Sequence, residues 1–311
     1  MTTSGWGTVT WTRVAIGLAI AIVGIAGCAS VLGIDSDRHV VEGPPDTGTP
    51  VVDAGPPDTG PPADAGSGLD AAAIPTNWSC LADPEPTIPT GDLQLDIFFN
   101  DVGGNSSSST TTGTPVPDML VHYCNKLDIN CGNPSTDVLT DDGGVAHLIV
   151  PGGFDGYYEG ISDAGYTPAI LSRTPQISNE YSTQGVANIG LLTAGAGLAG
   201  VGQQPDLSIA IVTAADCTTT PAAGISFTVA AQAQGEEVVY LVNNLPTKGA
   251  TQTDSQSGSA LIFNVPPGTL TVSAAFADTG IPIRTVTTLG RQGWVTFIQI
   301  RPDQASHSPI P

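Results

Sequence analysis

From Asp92 onward, short runs alternate apolar with polar side chains, and each run ends in a cluster of Gly, Pro, Asn or Asp. Residues i, i+2 and i+4 share a face only in extended chain. Such runs therefore bury one side as strands and do not form amphipathic helices. In "DLQLDIFF" Leu93, Leu95, Ile97 and Phe99 share a face, and in "MLVHYC" Met119, Val121 and Tyr123 do. In "GVAHLIV" Val145, His147 and Ile149 oppose Ala146, Leu148 and Val150. "DLSIAIVTA" sets Leu207, Ile209 and Ile211 together, and further runs follow from "ISFTVAA" to "WVTFIQI". Short strands broken by "CGNPSTD", "TDDGG" and "PGGFDG" predict an all-β fold of two antiparallel, Ig-like β-sandwich domains, residues 80–175 and 206–302. Residues 176–205 read as a connector. There "NIGLLTAGAGLAGVG" has the propensity for a helical turn or two, weakened by its glycines.

The chain ahead of residue 80 is of another kind. Val14–Gly27 is apolar throughout. It falls short of the about 20 residues that span a bilayer and suits the h-region of a signal peptide. An uncleaved anchor over Val14–Ile34 is the alternative. Ile25-Ala26-Gly27-Cys28 resembles the lipobox of bacterial lipoproteins. The resemblance implies removal of residues 1–27, a diacylglycerol on Cys28, and a membrane partner reached through that lipid. Ala29 rather than Asp follows, which by the same resemblance directs the protein to the outer membrane. Residues 28–79 repeat Pro-Pro-Asp-Thr-Gly at Pro44–Gly48 and Pro56–Gly60 and read as a solvated, disordered tether. Residues 303–311 read as a disordered tail.

Composition excludes one class of partner. Eight Lys+Arg stand against 29 Asp+Glu, a formal net charge of −21, with no basic cluster. Nucleic-acid affinity comes from cations displacing counterions, so no nucleic-acid partner is expected. With Cys28 assigned, Cys80, Cys124, Cys131 and Cys217 remain, an even number in an exported chain, and disulfides are expected. Of the three pairings, Cys124–Cys131 with Cys80–Cys217 is preferred. The rival is a zinc site, which favours spacings such as C-x2-C that the chain lacks.

The halves share a phrase. Thr140-Asp141-Asp142-Gly143 precedes "VAHLIV" and Pro151-Gly152. Thr253-Asp254 and Gly258 precede "SALIFNV" and Pro266-Pro267-Gly268. With the preceding "PVPDMLVHYC" and "PAAGISFTV", this is similar to the turn-and-strand pattern of carboxypeptidase regulatory-like domains. That resemblance implies a transthyretin-like sandwich, a duplicated unit, and accessory rather than catalytic roles.

The motifs of catalysis are incomplete in this chain. Gly195–Gly200 matches G-x-G-x-x-G, but Pro205 follows soon and no βαβ context surrounds it. No Gly-x-Ser-x-Gly elbow occurs. His122 and His147 lie on strands of the first half, where they could pair around a metal ion with Asp141 or Asp142. A metal-dependent envelope enzyme is the rival that follows from this pair. Phe154, Tyr157, Tyr158 and Glu159 gather aromatics and a carboxylate in an aromatic-poor chain. They are the candidate contact loop of a carbohydrate-binding protein. The reading expected from the whole is a non-enzymatic envelope module for binding, adhesion or scaffolding, without cofactor, whose partner is an envelope protein or glycan.

Overall fold

The computed structural model describes residues 74–102, 114–126, 128–230 and 232–302. Cys28, the tether through residue 73 and the tail from residue 303 lie outside the described residues. The described chain is all-β. Its first half supplies β1 (Asp92–Asp101), β2 (Thr114–Pro115), β3 (Leu120–Asn125), β4 (Val138–Leu139), β5 (Val145–Pro151), β6 (Gly156–Ile161), β7 (Ala169–Ser172) and β8 (Glu180–Val186). After α1 (Ile189–Leu198) come β9 (Ser208–Ala214), β10 (Ile225–Val229), β11 (Glu237–Val242), β12 (Leu245–Thr247), β13 (Ser259–Val265), β14 (Gly268–Phe276), β15 (Pro282–Gly290) and β16 (Val295–Ile300).

Alternation does what it predicts. β5 buries Ala146, Leu148 and Val150 and turns His147, Ile149 and Pro151 outward. Leu95, Ile97 and Phe99 of β1 are fully buried with them. Each such side chain contributes about 1.5–3 kcal/mol by leaving water.

Three sheets result. β5 and β8 flank β1, antiparallel and parallel to it, and β2 pairs with its far end. β10-β14-β15 form an antiparallel sheet. The third sheet has nine strands, in the order β12-β11-β13-β9-β16-β7-β6-β3-β4. It contains strands from both halves, joined where β16 runs parallel to both β9 and β7. Val295 of β16 sits opposite Ile209 and Ala169, and Ile298 opposite Val212 and Ser172.

Both faces of this shared sheet are used. Ala169, Leu171 and Val295 pack with Leu95, Ile97 and Phe99. From the opposite face Ile298, Ile300, Ala210 and Val212 pack with Ile225, Phe227, Val272 and Phe276. Because neighbouring residues of a strand point oppositely, the two small sheets lie on opposite faces of the large one. We call the first sandwich lobe 1 and the second lobe 2.

The shared phrase of the sequence is a shared structure. Thr140 Oγ1 donates to Val116 O at 2.8 Å and accepts from Met119 N at 2.9 Å. Thr253 Oγ1 donates to Ala222 O at 2.5 Å and accepts from Ile225 N at 3.0 Å. Gly144 O accepts from Phe99 N as Gly258 O accepts from Ala214 N, each at 2.8 Å. Both glycines have positive φ, +78° and +59°, and a Cβ on either would lie within 2.7 Å of a backbone carbonyl oxygen. The equivalences match β1 with β9, β3 with β10, β5 with β13 and β6 with β14. β8, parallel to β1, then corresponds to β16, parallel to β9.

Residues 176–205 hold more than a loop. They include β8 and a ten-residue helix. Asn188 caps α1 by accepting from Leu191 N at 3.0 Å. Ala196 and Ala199 lie against Ile209, Val239, Leu261 and Phe263 of the shared sheet. That packing offsets the poor helix propensity of Gly190, Gly195 and Gly197. The 3-10 helix Thr76–Ala82 docks on lobe 2, where Trp78 meets Phe276 edge-on at 5.3 Å. Among the described residues no helix is long and apolar enough to cross a membrane.

Candidate binding crevice beside β8

The residues singled out from the sequence are distributed as follows. Cys80–Cys217 and Cys124–Cys131 are disulfide-bonded. His147 binds Asp96 at 2.9 Å and approaches Asp141 at 3.7 Å, whereas His122 lies between Asp137 at 3.0 Å and Glu159 at 3.2 Å. The two histidines thus keep separate carboxylate partners, and the His122–His147 pair of the rival metal reading is not assembled.

The aromatic contact loop also differs from expectation. Tyr157, Tyr158 and Glu159 are buried and Phe154 is half-buried. These residues belong to β6 and its lead-in, and β6 is covered on both faces. Tyr158 and Phe154 pack edge-on with Tyr123 toward the lobe 1 core. Tyr157 points the other way, under the Cys124–Cys131 loop, with the Arg291 guanidinium 5.6 Å from its ring centre. Burial raises the pKa of both phenols. No stacking surface for a sugar ring is left there.

An opening lies elsewhere, at the edge of β8. β16 of lobe 2 is flanked by β7, but β8, its counterpart in lobe 1, has β1 as its one strand partner among the described residues. Its other edge borders a crevice of about 500 Å³. Residues 180–185 form one wall, and Leu171, Val295, Phe297 and Ile211 of the shared sheet form an apolar floor. Leu192 of α1 closes one side. The sequence explains the gap. At the positions where β16 places Ile298 and Ile300, β8 places Ser182 and Gln184. These polar side chains leave the space between the sheets unfilled.

The other end of the crevice holds buried charge. Glu180 accepts from Arg173 and, at 3.3 and 3.4 Å, from Arg301. Arg173 also donates to Ser182 Oγ, and Arg301 to Thr174 Oγ1 at 3.1 Å. Arg301 is 2% exposed. Burial lowers its pKa, while the Glu180 carboxylate holds it up and Arg173 adds to the fall. Beside it the Oε1 of Gln299, also in the lining, is buried without a partner among the described residues. Among the described residues the crevice therefore offers a strand edge without a neighbouring strand, an apolar floor and, in Gln299 Oε1, an unsatisfied acceptor. Its lining contains neither histidine nor cysteine. Sequence reading missed Arg173, Glu180, Gln299 and Arg301. The available signal was an arginine directly ending each of two apolar strands, in "PAILSR" and "FIQIR", in a chain with eight basic residues.

No family model matches the chain, and no curated protein matches it. Among solved structures it is similar to the TIE protein of Bacillus anthracis, at 15% identity and a TM-score of 0.23 over 68% of this chain and 33% of that one. The chain thus spans about a third of the length of that protein. A shaft pilin of Lactobacillus rhamnosus GG matches at 13% identity and a TM-score of 0.21, over 68% of this chain and 97% of the pilin. The minor pilin of Streptococcus agalactiae matches at 13% identity and a TM-score of 0.21, over 70% and 97%. At these scores no residue role or activity is carried from them to this chain.

Proposed function

We propose that this chain is a non-enzymatic envelope module that binds an extended segment of a protein partner along β8. One observation carries the reading: the strand edge that lobe 1 covers in lobe 2 has no strand beside it in lobe 1 among the described residues. β7 supplies the pattern for the occupant, a short strand running parallel to the edge, with apolar residues toward the crevice floor. Backbone hydrogen bonds would give affinity, and the apolar floor would select side chains, as in strand-addition complexes generally. The finer reading keeps the lipid on Cys28, the outer membrane as its seat and residues 28–79 as a spacer. It also keeps the two carboxypeptidase regulatory-like units of the sequence resemblance as accessory modules.

The test is retention of solubilised envelope proteins by the immobilised full chain. Thr183 is the exposed residue of β8. Thr183→Trp should release whatever binds the crevice, whereas Leu245→Arg, on an exposed position of β12, should leave it bound. Equal retention by both variants would defeat the crevice reading. Retention of glycan in place of protein would defeat the choice of partner.

A further inference from the structure

His122, Cys124, Cys131 and Glu159 are all buried, and one donor atom from each lies within 4.8 Å of the others. We propose that this cluster is a redox-gated zinc site, closed while Cys124–Cys131 is a disulfide and opened by a dithiol reductant. Two thiolates, an imidazole nitrogen and a carboxylate oxygen are a donor set suited to tetrahedral zinc.

The surroundings fit such a site at its second layer. His122 Nδ1 lies 3.0 Å from Asp137 Oδ1, while Nε2 faces Glu159 Oε2 at 3.2 Å. A ligating histidine characteristically gives its remote N–H to a carboxylate, which fixes the ring and leaves the other nitrogen for the metal. Glu159 is held in the same way. Arg291 donates to its Oε1, leaving Oε2 toward the histidine. Two thiolates and Glu159 around a divalent ion leave one negative charge, and the Arg291 guanidinium sits beside it.

The two cysteines stay together without the S–S bond. The intervening loop is tied by Tyr157 Oη to Asp128 O and by Arg291 to Ile129 O at 2.6 Å. Asp128 accepts from Gly132 N and Asn133 N, both at 2.9 Å. Those backbone bonds hold its carboxyl below the ordinary aspartate range. Ser135 closes the loop onto Tyr123. The Cα atoms of Cys124 and Cys131, 5.4 Å apart, are therefore held by contacts that reduction does not touch. The C-x6-C spacing departs from the short spacings of common zinc motifs, and for that reason sequence reading passes over it.

Zinc is loaded in two steps. The dithiol transfers two electrons and two protons to the disulfide and is itself oxidised to a disulfide, leaving two thiols. Zinc then takes both sulfurs as thiolates, with His122 Nε2 and Glu159 Oε2. The two thiol protons, and any proton on Nε2, pass to solvent. Reoxidation returns two electrons to a disulfide acceptor and expels the ion.

The experiment measures zinc by elemental analysis in the full chain, with and without prior treatment by excess dithiothreitol. About one equivalent is expected after reduction and none before. Cobalt in place of zinc should give the thiolate charge-transfer band and intense visible bands of a tetrahedral site. Cys80→Ser/Cys217→Ser should keep the site, and Cys124→Ser should remove it. Asp137 is largely exposed. Asp137→Asn, which spares the fold, should weaken zinc binding by about 10–100-fold. Circular dichroism checks that the variants are folded. No uptake by folded, reduced protein overturns the proposal. So does uptake that survives Cys124→Ser or vanishes with Cys80→Ser/Cys217→Ser.

Discussion

Single residues carry opposite kinds of stability here. Glu180 holds two arginines in a buried network, so Glu180→Gln strands two cations away from water. That loss should cost about 3–5 kcal/mol, read as a fall in the urea midpoint at unchanged slope. His147 is a milder, pH-dependent case. Its hydrogen bond to Asp96, above all, raises its pKa, with Asp141 adding to the effect and burial opposing it. A raised folded value means that the ring stabilises the fold fully below the unfolded value of about 6.5. That contribution is lost as pH rises through the folded value. The Tm difference between the parent and His147→Gln should therefore shrink between pH 5.5 and pH 8.5; an unchanged difference would remove the pairing as its cause. Asp96, on the other side of that bond, was legible only as a polar position of an alternating strand. Nothing in its neighbours Leu95 and Ile97 tells that it faces a histidine 51 positions on.

At the scale of elements, legibility follows periodicity. β1 and β5 read directly from the sequence because one face of each is apolar and packs inward. β8 does not, because Ser182 and Gln184 stand where its counterpart carries isoleucines, and the same substitution that hides the strand opens the crevice. α1 is hidden for a different reason. Its apolar residues are not gathered on one face, since Leu192, Ala196 and Ala199 meet the sheet while Ile189, Leu191 and Leu198 are exposed. Its start is nonetheless marked by Asn188. Asn188→Ala removes the cap and should cost about 1 kcal/mol, measured by denaturant unfolding. The aromatic stretch of β6 shows the limit of composition. Tyr157 and Tyr158 read as a surface because aromatics are scarce, yet a strand covered on both faces has no outward side.

For the whole molecule, the parallel seam of β7, β16 and β9 is the feature that no local pattern announces. Parallel neighbours are distant in sequence, so their pairing is fixed by packing alone. Because β16 belongs to the cores of both lobes, calorimetry of the full chain should show one unfolding transition. Two resolved transitions would mean that the lobes melt independently. The two disulfides should differ in weight. In the chain-entropy view, a bond across 137 residues is worth about 5 kcal/mol and one across 7 about 2 kcal/mol. Cys80→Ser/Cys217→Ser should thus lower stability more than Cys124→Ser/Cys131→Ser. The long bond also sets a mechanical route. A pull applied to the chain ahead of residue 80 passes through sulfur directly to Cys217. Residues 81–216 form a closed covalent loop off that line, so the covalent route from residue 80 to Cys217 bypasses the strands of lobe 1.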